Sequence, residues 1–242
     1  MRAVADARVL VSQGSRVLAH QHVVDAFGHV SHRHPDRPDA FLMSRTLAPA
    51  LVEASDVLEL GLDGSPINPG GQRLFLERFI HAGIYRARPD VMAITHSHSP
   101  EVVPFTVVPA LRLRPICHVC GFLEDTDVAF DVADHAGLGT DLLIRNAALG
   151  DDFARHLGGG SVGLMRAHGF TTVGRSMSEA VFNAIYTVRN CRIHLAANTL
   201  GTPTFLTPEE SAECARVTSS QADRAWTVWL SEIDEGAALY QR

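Results

Sequence analysis

The sequence predicts an α/β fold built as one domain over residues 1–242, and three stretches carry that expectation. Residues 91–100, VMAITHSHSP, are a short apolar run closed by Pro100, the pattern of a buried strand. Residues 74–88, LFLERFIHAGIYRAR, place apolar side chains at helical spacing just before it. Residues 178–200 repeat the helical pattern over a longer span, opened by Ser176-Met177-Ser178-Glu179 in the order of a capping box. With 242 residues, 46% of them hydrophobic, such alternating elements can bury a substantial core without a second domain.

Composition narrows the function classes. A net charge of −6 and a pI near 6.1 argue against a nucleic-acid partner, which calls for a basic face. No lysine occurs, so all 21 positive side chains are arginine and no lysine amine can form a Schiff base. Carbon–carbon bond chemistry on this chain therefore needs a metal or another cofactor as electron sink. Four cysteines, Cys117, Cys120, Cys191 and Cys214, are too few and scattered for a disulfide framework. Cys117-His118-Val119-Cys120 is a CxxC without a second pair; buried structural thiols are expected there, with zinc or redox chemistry as the alternative. No stretch has the length of a membrane span and no basic, apolar leader opens the sequence, so the expectation is a cytoplasmic protein without membrane contact.

In chain order, residues 3–27 have a helical pattern that Gly14 could interrupt. His20 and His22 on that helix would diverge by about 200° and cannot chelate together. Gly28 turns into an alternating strand at His29-Val30-Ser31, followed by an exposed loop over residues 32–39. Phe41 to Arg45 is a short strand, and Val57 to Leu60 with the Asp63-Gly64 turn suggests a hairpin. In the helix of residues 74–88, Glu77 and His81 lie one turn apart and can face the same way. Glu77 is then either solvent-exposed or, if it faces a pocket, an acid/base candidate. Strands are expected near Arg114 to Gly121 and Val128 to Val132, and a helix over Gly150 to Leu157 stopped by Gly158-Gly159-Gly160. Residues 161–174, SVGLMRAHGFTTVG, read as strand, tight turn at His168-Gly169, and returning strand. Thr207 to Trp229 is a last helix, with Pro208 in its first turn.

The functional expectation begins at His96-Ser97-His98. Residues i and i+2 of a strand share a face, so both imidazoles project together from a rigid element. Such a pair suits a metal ion, although paired histidines also occur as plain surface groups. His168, at a strand end beside a glycine turn, is placed to reach across to them. Three imidazoles leave a coordination position open, as catalytic rather than structural sites do.

The ordered set ERFIHAGIY, a strand ending HSHS, then LMRAHGFTTVG resembles the class II aldolase/adducin family over roughly residues 3–230. The resemblance implies an αβα three-layer sandwich around a mostly antiparallel sheet. It implies a divalent metal on His96, His98 and His168, with Glu77 as acid/base, and a homo-oligomer, commonly a tetramer, with active sites at subunit interfaces. Phosphate-binding members carry a GNxS turn, a serine–glycine pair on the next strand and two serines before the glutamate. Here those positions are Gly28-His29-Val30-Ser31, Ser44-Arg45 and Phe75-Leu76. The lost hydroxyls remove donors for a phosphate, and Arg45 brings a positive fork suited to a carboxylate, unless it serves a structural ion pair.

The local pattern FGHVSHRHP, FLMSR, LERFIH, HSHSPEVVPF and HVCGF is similar to the decarboxylase subgroup acting on dihydroxyphthalates or carboxylated hydroxymuconic semialdehydes. It implies a small carboxylic acid substrate chelating the metal (zinc, manganese, iron or cobalt), which acts as Lewis acid. His29, Ser31, Ser44 and Arg45 are expected to bind the substrate, with His118 as a further lining residue or a merely structural one, and Glu77 to deliver the proton that replaces carbon dioxide. Aldol cleavage of an unphosphorylated hydroxy-keto acid, an iron(II) oxygenase and a non-catalytic adducin-like module are the alternatives. The last predicts degraded ligands, whereas all three histidines and the glutamate are present.

Overall fold

In the computed structural model, which describes residues 2–68 and 70–240 with side chains as far as residue 233, the helical pattern at the start gives α1 (Arg2–His20). Gly14 does not break it; a Cβ there would lie 2.7 Å from Met177 Sδ, so the missing side chain lets two helices close up. The helix stops seven residues before the expected end, where His22 takes a φ of 56°. Then follow β1 (His29–Arg33), β2 (Ala40–Ser44) and β3 (Val57–Gly61). The expected exposed loop is shorter than predicted, because His32 and Arg33 belong to β1 and His34 is buried with Nε2 3.6 Å from Glu59 Oε2. The return after Asp63-Gly64 makes one bridge, Leu60 to Pro66, rather than a full hairpin.

Next come α2 (Arg78–Ala87) and β4 (Ala93–Ser97), then the short α3 (Pro104–Val107) and α4 (Val132–Ala136). The two strands expected between residues 114 and 132 do not form. His118–Leu123 winds into a 3-10 helix, and residues 128–132 contribute a single bridge, Phe130 to Met165. α5 (Ala147–Leu157) starts three residues before the expected Gly150, because Asn146 caps it through Leu149 N–H. β5 (Val162–Met165) and β6 (Gly169–Gly174) form the expected hairpin. In α6 (Met177–Leu200) half of the capping box is present: Ser176 Oγ accepts from Glu179 N–H, while the Glu179 carboxylate accepts from Arg175 N–H. The last expected helix is two, α7 (Pro208–Thr218) and α8 (Ala222–Tyr240), joined by a 3-10 turn. Among the described residues no helix is long and apolar enough to cross a membrane.

Among the described residues six strands lie in the order β3-β2-β1-β4-β6-β5, and every neighbouring pair is antiparallel. Alternation along each strand feeds two cores. Leu42, Ala93 and Leu164 join the apolar set of α1 and α6; Phe41, Met43, Ile94 and Met165 join that of α2 and α5. This is the αβα three-layer sandwich. On the second face α2 and α5 cross backbone to backbone: a Cβ on Gly83 would overlap Gly150 O, and one on Gly150 would overlap Phe79 O.

Candidate metal centre

His96 has the strand parity of Ile94, so it faces the α2 layer, and His98, just past the strand end, follows the same side. His96 Nε2 and His98 Nε2 are 2.9 Å apart, and His98 Nε2 is 2.9 Å from His168 Nε2 at the β5–β6 turn. Glu77 completes the group, with Oε2 at 3.2 Å from His168 Nε2 and 3.6 Å from His96 Nε2. One ligating atom from each of Glu77, His96, His98 and His168 lies within 4.8 Å of the others.

Glu77 is not inside the helix. It stands at the N-cap position of α2, where Arg78 holds the preceding turn through Gly64 O (2.6 Å) and Phe75 O (2.9 Å). Glu77 Oε1 accepts from Ile144 N–H at 3.2 Å, and His168 Nδ1 donates to Leu142 O at 3.0 Å. One loop before α5 therefore anchors both the carboxylate and the third imidazole. These backbone partners left no signal in the sequence.

The donor chemistry fits a cation. A carbonyl only accepts, so the proton of neutral His168 is on Nδ1 and its Nε2 presents a lone pair. His96 Nδ1 meets Thr171 Oγ1 at 3.0 Å. A single hydrogen on His98 Nε2 cannot serve both of its imidazole neighbours, so lone pairs converge on a position that a cation would satisfy. Burial, together with the neighbouring imidazoles, lowers the pKa of His96 and His98 and keeps both neutral, the form that ligates metal. For His168 burial pulls downward, but the Glu77 carboxylate outweighs it and raises the pKa.

Beside the cluster opens a cavity of about 660 Å³, lined among others by Phe27, His29, Phe75, Glu77 and His98. His29 sits opposite His96 in the β1–β4 register and stacks on it, ring centres 4.9 Å apart. The other expected substrate residues fare differently. Ser31 shares this face but is wholly buried, its hydroxyl bonded to His81 Nδ1 (2.6 Å) and Tyr85 OH (2.8 Å). Ser44 has the opposite parity to Met43 and so faces the α1 layer, away from the cluster. Arg45 Nε pairs with Asp56 Oδ1 at 2.9 Å, and Arg45 does not line the cavity. His118 is exposed at the start of the 3-10 helix and does not line it either. Phe27, Thr46 and Leu143 line the cavity unannounced, since isolated loop residues carry no periodic pattern.

A buried three-histidine, one-carboxylate group at the strand ends of an antiparallel sheet, beside a cavity, could hold a metal ion with a position left open, as in an enzyme site rather than a closed structural one. Comparison with known proteins gives the family. The description Class II Aldolase and Adducin N-terminal domain matches residues 9–195, and the chain belongs to that family. It is 39% identical over 246 residues to "Decarboxylase tropJ" of Talaromyces stipitatus, covering 92% of each chain. It is 31% identical to a 3,4-dihydroxyphthalate decarboxylase of Arthrobacter keyseri, over 75% of this chain and 74% of that one. An aldolase II superfamily protein from Pseudomonas syringae shares the fold, with a TM-score of 0.80, 21% identity and coverage of 98% and 95% of the two chains.

Proposed function

We propose that the chain is a metal-dependent carboxy-lyase. Its substrate is a hydroxylated aromatic acid of the dihydroxyphthalate type or a ring-cleaved hydroxymuconic semialdehyde acid, which loses carbon dioxide without oxidation. The observation that carries this reading is the convergence of three imidazole Nε2 atoms and one buried carboxylate beside a cavity walled by aromatic and aliphatic side chains. Relatives named as decarboxylases support the reaction class. Phe75 and Leu76 line the cavity without offering a hydroxyl, which favours an unphosphorylated substrate. The family resemblance supports a homo-oligomer, a tetramer, as the working form.

His96, His98 and His168 would hold the divalent cation, zinc, manganese, iron or cobalt, which supplies Lewis-acid polarisation of a substrate oxygen. The apolar walls withdraw water from the departing carboxylate, which favours its conversion to uncharged carbon dioxide. His29, at the cavity wall, interacts with a substrate oxygen. Glu77 delivers a solvent-derived proton to the carbon that loses carbon dioxide, so the balance is one carboxylate and one proton in, one C–H bond and carbon dioxide out.

The test is product analysis on the zinc- or manganese-loaded protein with dihydroxyphthalates and carboxylated hydroxymuconic semialdehydes. Carbon dioxide release that chelation abolishes is expected, and E77Q should keep its metal while turnover falls roughly 10²–10⁴-fold. Release of an aldehyde in place of carbon dioxide would move the protein to the aldol-cleavage reading.

A further inference from the structure

A line of buried polar groups runs from the core to the cavity wall behind the metal cluster. Tyr85 OH is 2.8 Å from Ser31 Oγ, Ser31 Oγ is 2.6 Å from His81 Nδ1, and His81 Nε2 is 2.8 Å from His29 Nδ1. Tyr85, Ser31 and His81 are at most 1% exposed, and His29 is 5% exposed. The spacing explains the line: strand residues 29 and 31 share a face, and helix residues 81 and 85 are one turn apart.

From this geometry we infer that Tyr85, Ser31 and His81 are positioning residues that fix the tautomer of His29, so that His29 presents an Nε2–H donor to the cavity. A neutral imidazole has one N–H and one lone pair, so His29 and His81 donate in the same direction along the line, while the Ser31 hydroxyl, with one hydrogen and two lone pairs, either relays that direction or accepts from both sides. If donation ran from His29 outward, Ser31 Oγ would accept from His81 Nδ1–H, and the Ser31 and Tyr85 hydrogens would share one remaining link, so one of the two hydroxyls would need a further acceptor. Among the described residues Ser31 is the one hydrogen-bond partner of Tyr85 OH, and the group over the Tyr85 ring is the Arg33 guanidinium, which cannot accept. That direction orphans a buried hydroxyl, which disfavours it by roughly tenfold or more.

In the other direction every link is made. Tyr85 donates to Ser31, Ser31 to His81 Nδ1, and His81 Nε2–H to His29 Nδ1, leaving the His29 hydrogen on Nε2. That nitrogen has no hydrogen-bond partner among the described residues. It is also not one of the sealed, partnerless atoms, which are Thr126 Oγ1 and His194 Nδ1, so it is open to the cavity that His29 lines. Two consequences follow. A protonated Nε2 cannot ligate metal, so His29 stays out of the cluster although it stacks on His96. The donor selects an acceptor oxygen, which under the carboxy-lyase reading is a carboxylate or developing oxyanion of the substrate; the tautomer itself does not depend on that reading.

The experiment is two-bond proton–nitrogen correlation NMR on the zinc-loaded protein with ¹⁵N-labelled histidine at neutral pH. His29 and His81 are assigned by their loss in H29Q and H81Q. Both rings are expected as Nε2–H tautomers, and Y85F should shift the His29 nitrogens toward an averaged mixture of the two forms. An Nδ1–H form of His29 in the wild type overturns the inference, and an unchanged His29 in Y85F overturns the role of Tyr85. Should Y85F not fold, the wild-type spectrum alone decides the tautomer. A protein that passes this test yet releases no carbon dioxide from any candidate acid would sink the functional reading and leave the tautomer standing.

Discussion

Gly169 lies against the backbone of Ser97: a Cβ at residue 169 would overlap Ser97 O and stand 3.0 Å from His98 Cα. The absent side chain lets the first residue of β6 press onto the end of β4, and that approach brings His168 to His98.

Replacing Gly169 by alanine should therefore part the two strand ends. The expected cost is about 3 kcal/mol of stability, as for overpacking a tight contact, together with loss of bound metal. The urea midpoint and the zinc content of purified G169A measure both. Retention of full metal content would show that the ligands tolerate the separation.

Thr171 holds the ring of His96 through Nδ1 at 3.0 Å. T171V keeps the shape and removes that partner, so metal affinity should fall about 10–100-fold. Competition with a chromogenic chelator reads the change directly, and an affinity equal to wild type would deny the threonine an orienting role.

Stability of the metal-free protein should depend on pH through His81, which burial brings from the ordinary 6.5 down to about 3. Between those values the unfolded chain binds the proton and the folded one does not, so stability rises with pH. The contribution is complete above about 6.5 and is lost as pH falls toward 3, at up to about 1.4 kcal/mol per unit for one histidine. Urea midpoints at about pH 7.5 and about pH 5.5 should differ in that sense, and H81Q should flatten the slope.

Arg45 should prove structural. Its side chain is 40% exposed and paired with Asp56, and its backbone N–H donates to Asp56 O at 2.9 Å. R45A is expected to cost about 1 kcal/mol or less and to leave KM for the acid substrate unchanged. A steep rise in KM would return the guanidinium to the substrate.

The histidine cluster was legible because strand periodicity puts His96 and His98 on one side, and a glycine turn places His168 within reach. The starts of α6 and α7 were legible too, since Ser176 and Thr207-Pro208 mark helix N-termini locally. Residues 114–132 were not, because their apolar and β-branched side chains satisfy a strand pattern while only Phe130 pairs with the edge strand β5 and residues 118–123 wind into a 3-10 helix. For Arg45 the sequence left substrate binding and a structural ion pair open, because its partner Asp56 lies eleven residues on and is visible only in space. Glu77 was found in kind but not in place. Its turn is unwound by bonds to Gly64, Phe75 and Ile144 that no spacing announces.

The crossing of α2 and α5 at Gly83 and Gly150 is a joint of peptide on peptide. Glu77 caps one helix and the loop with Leu142 and Ile144 leads into the other, so the spacing between Glu77 and His168 is gauged by main chain. That spacing should persist as long as those two glycines do.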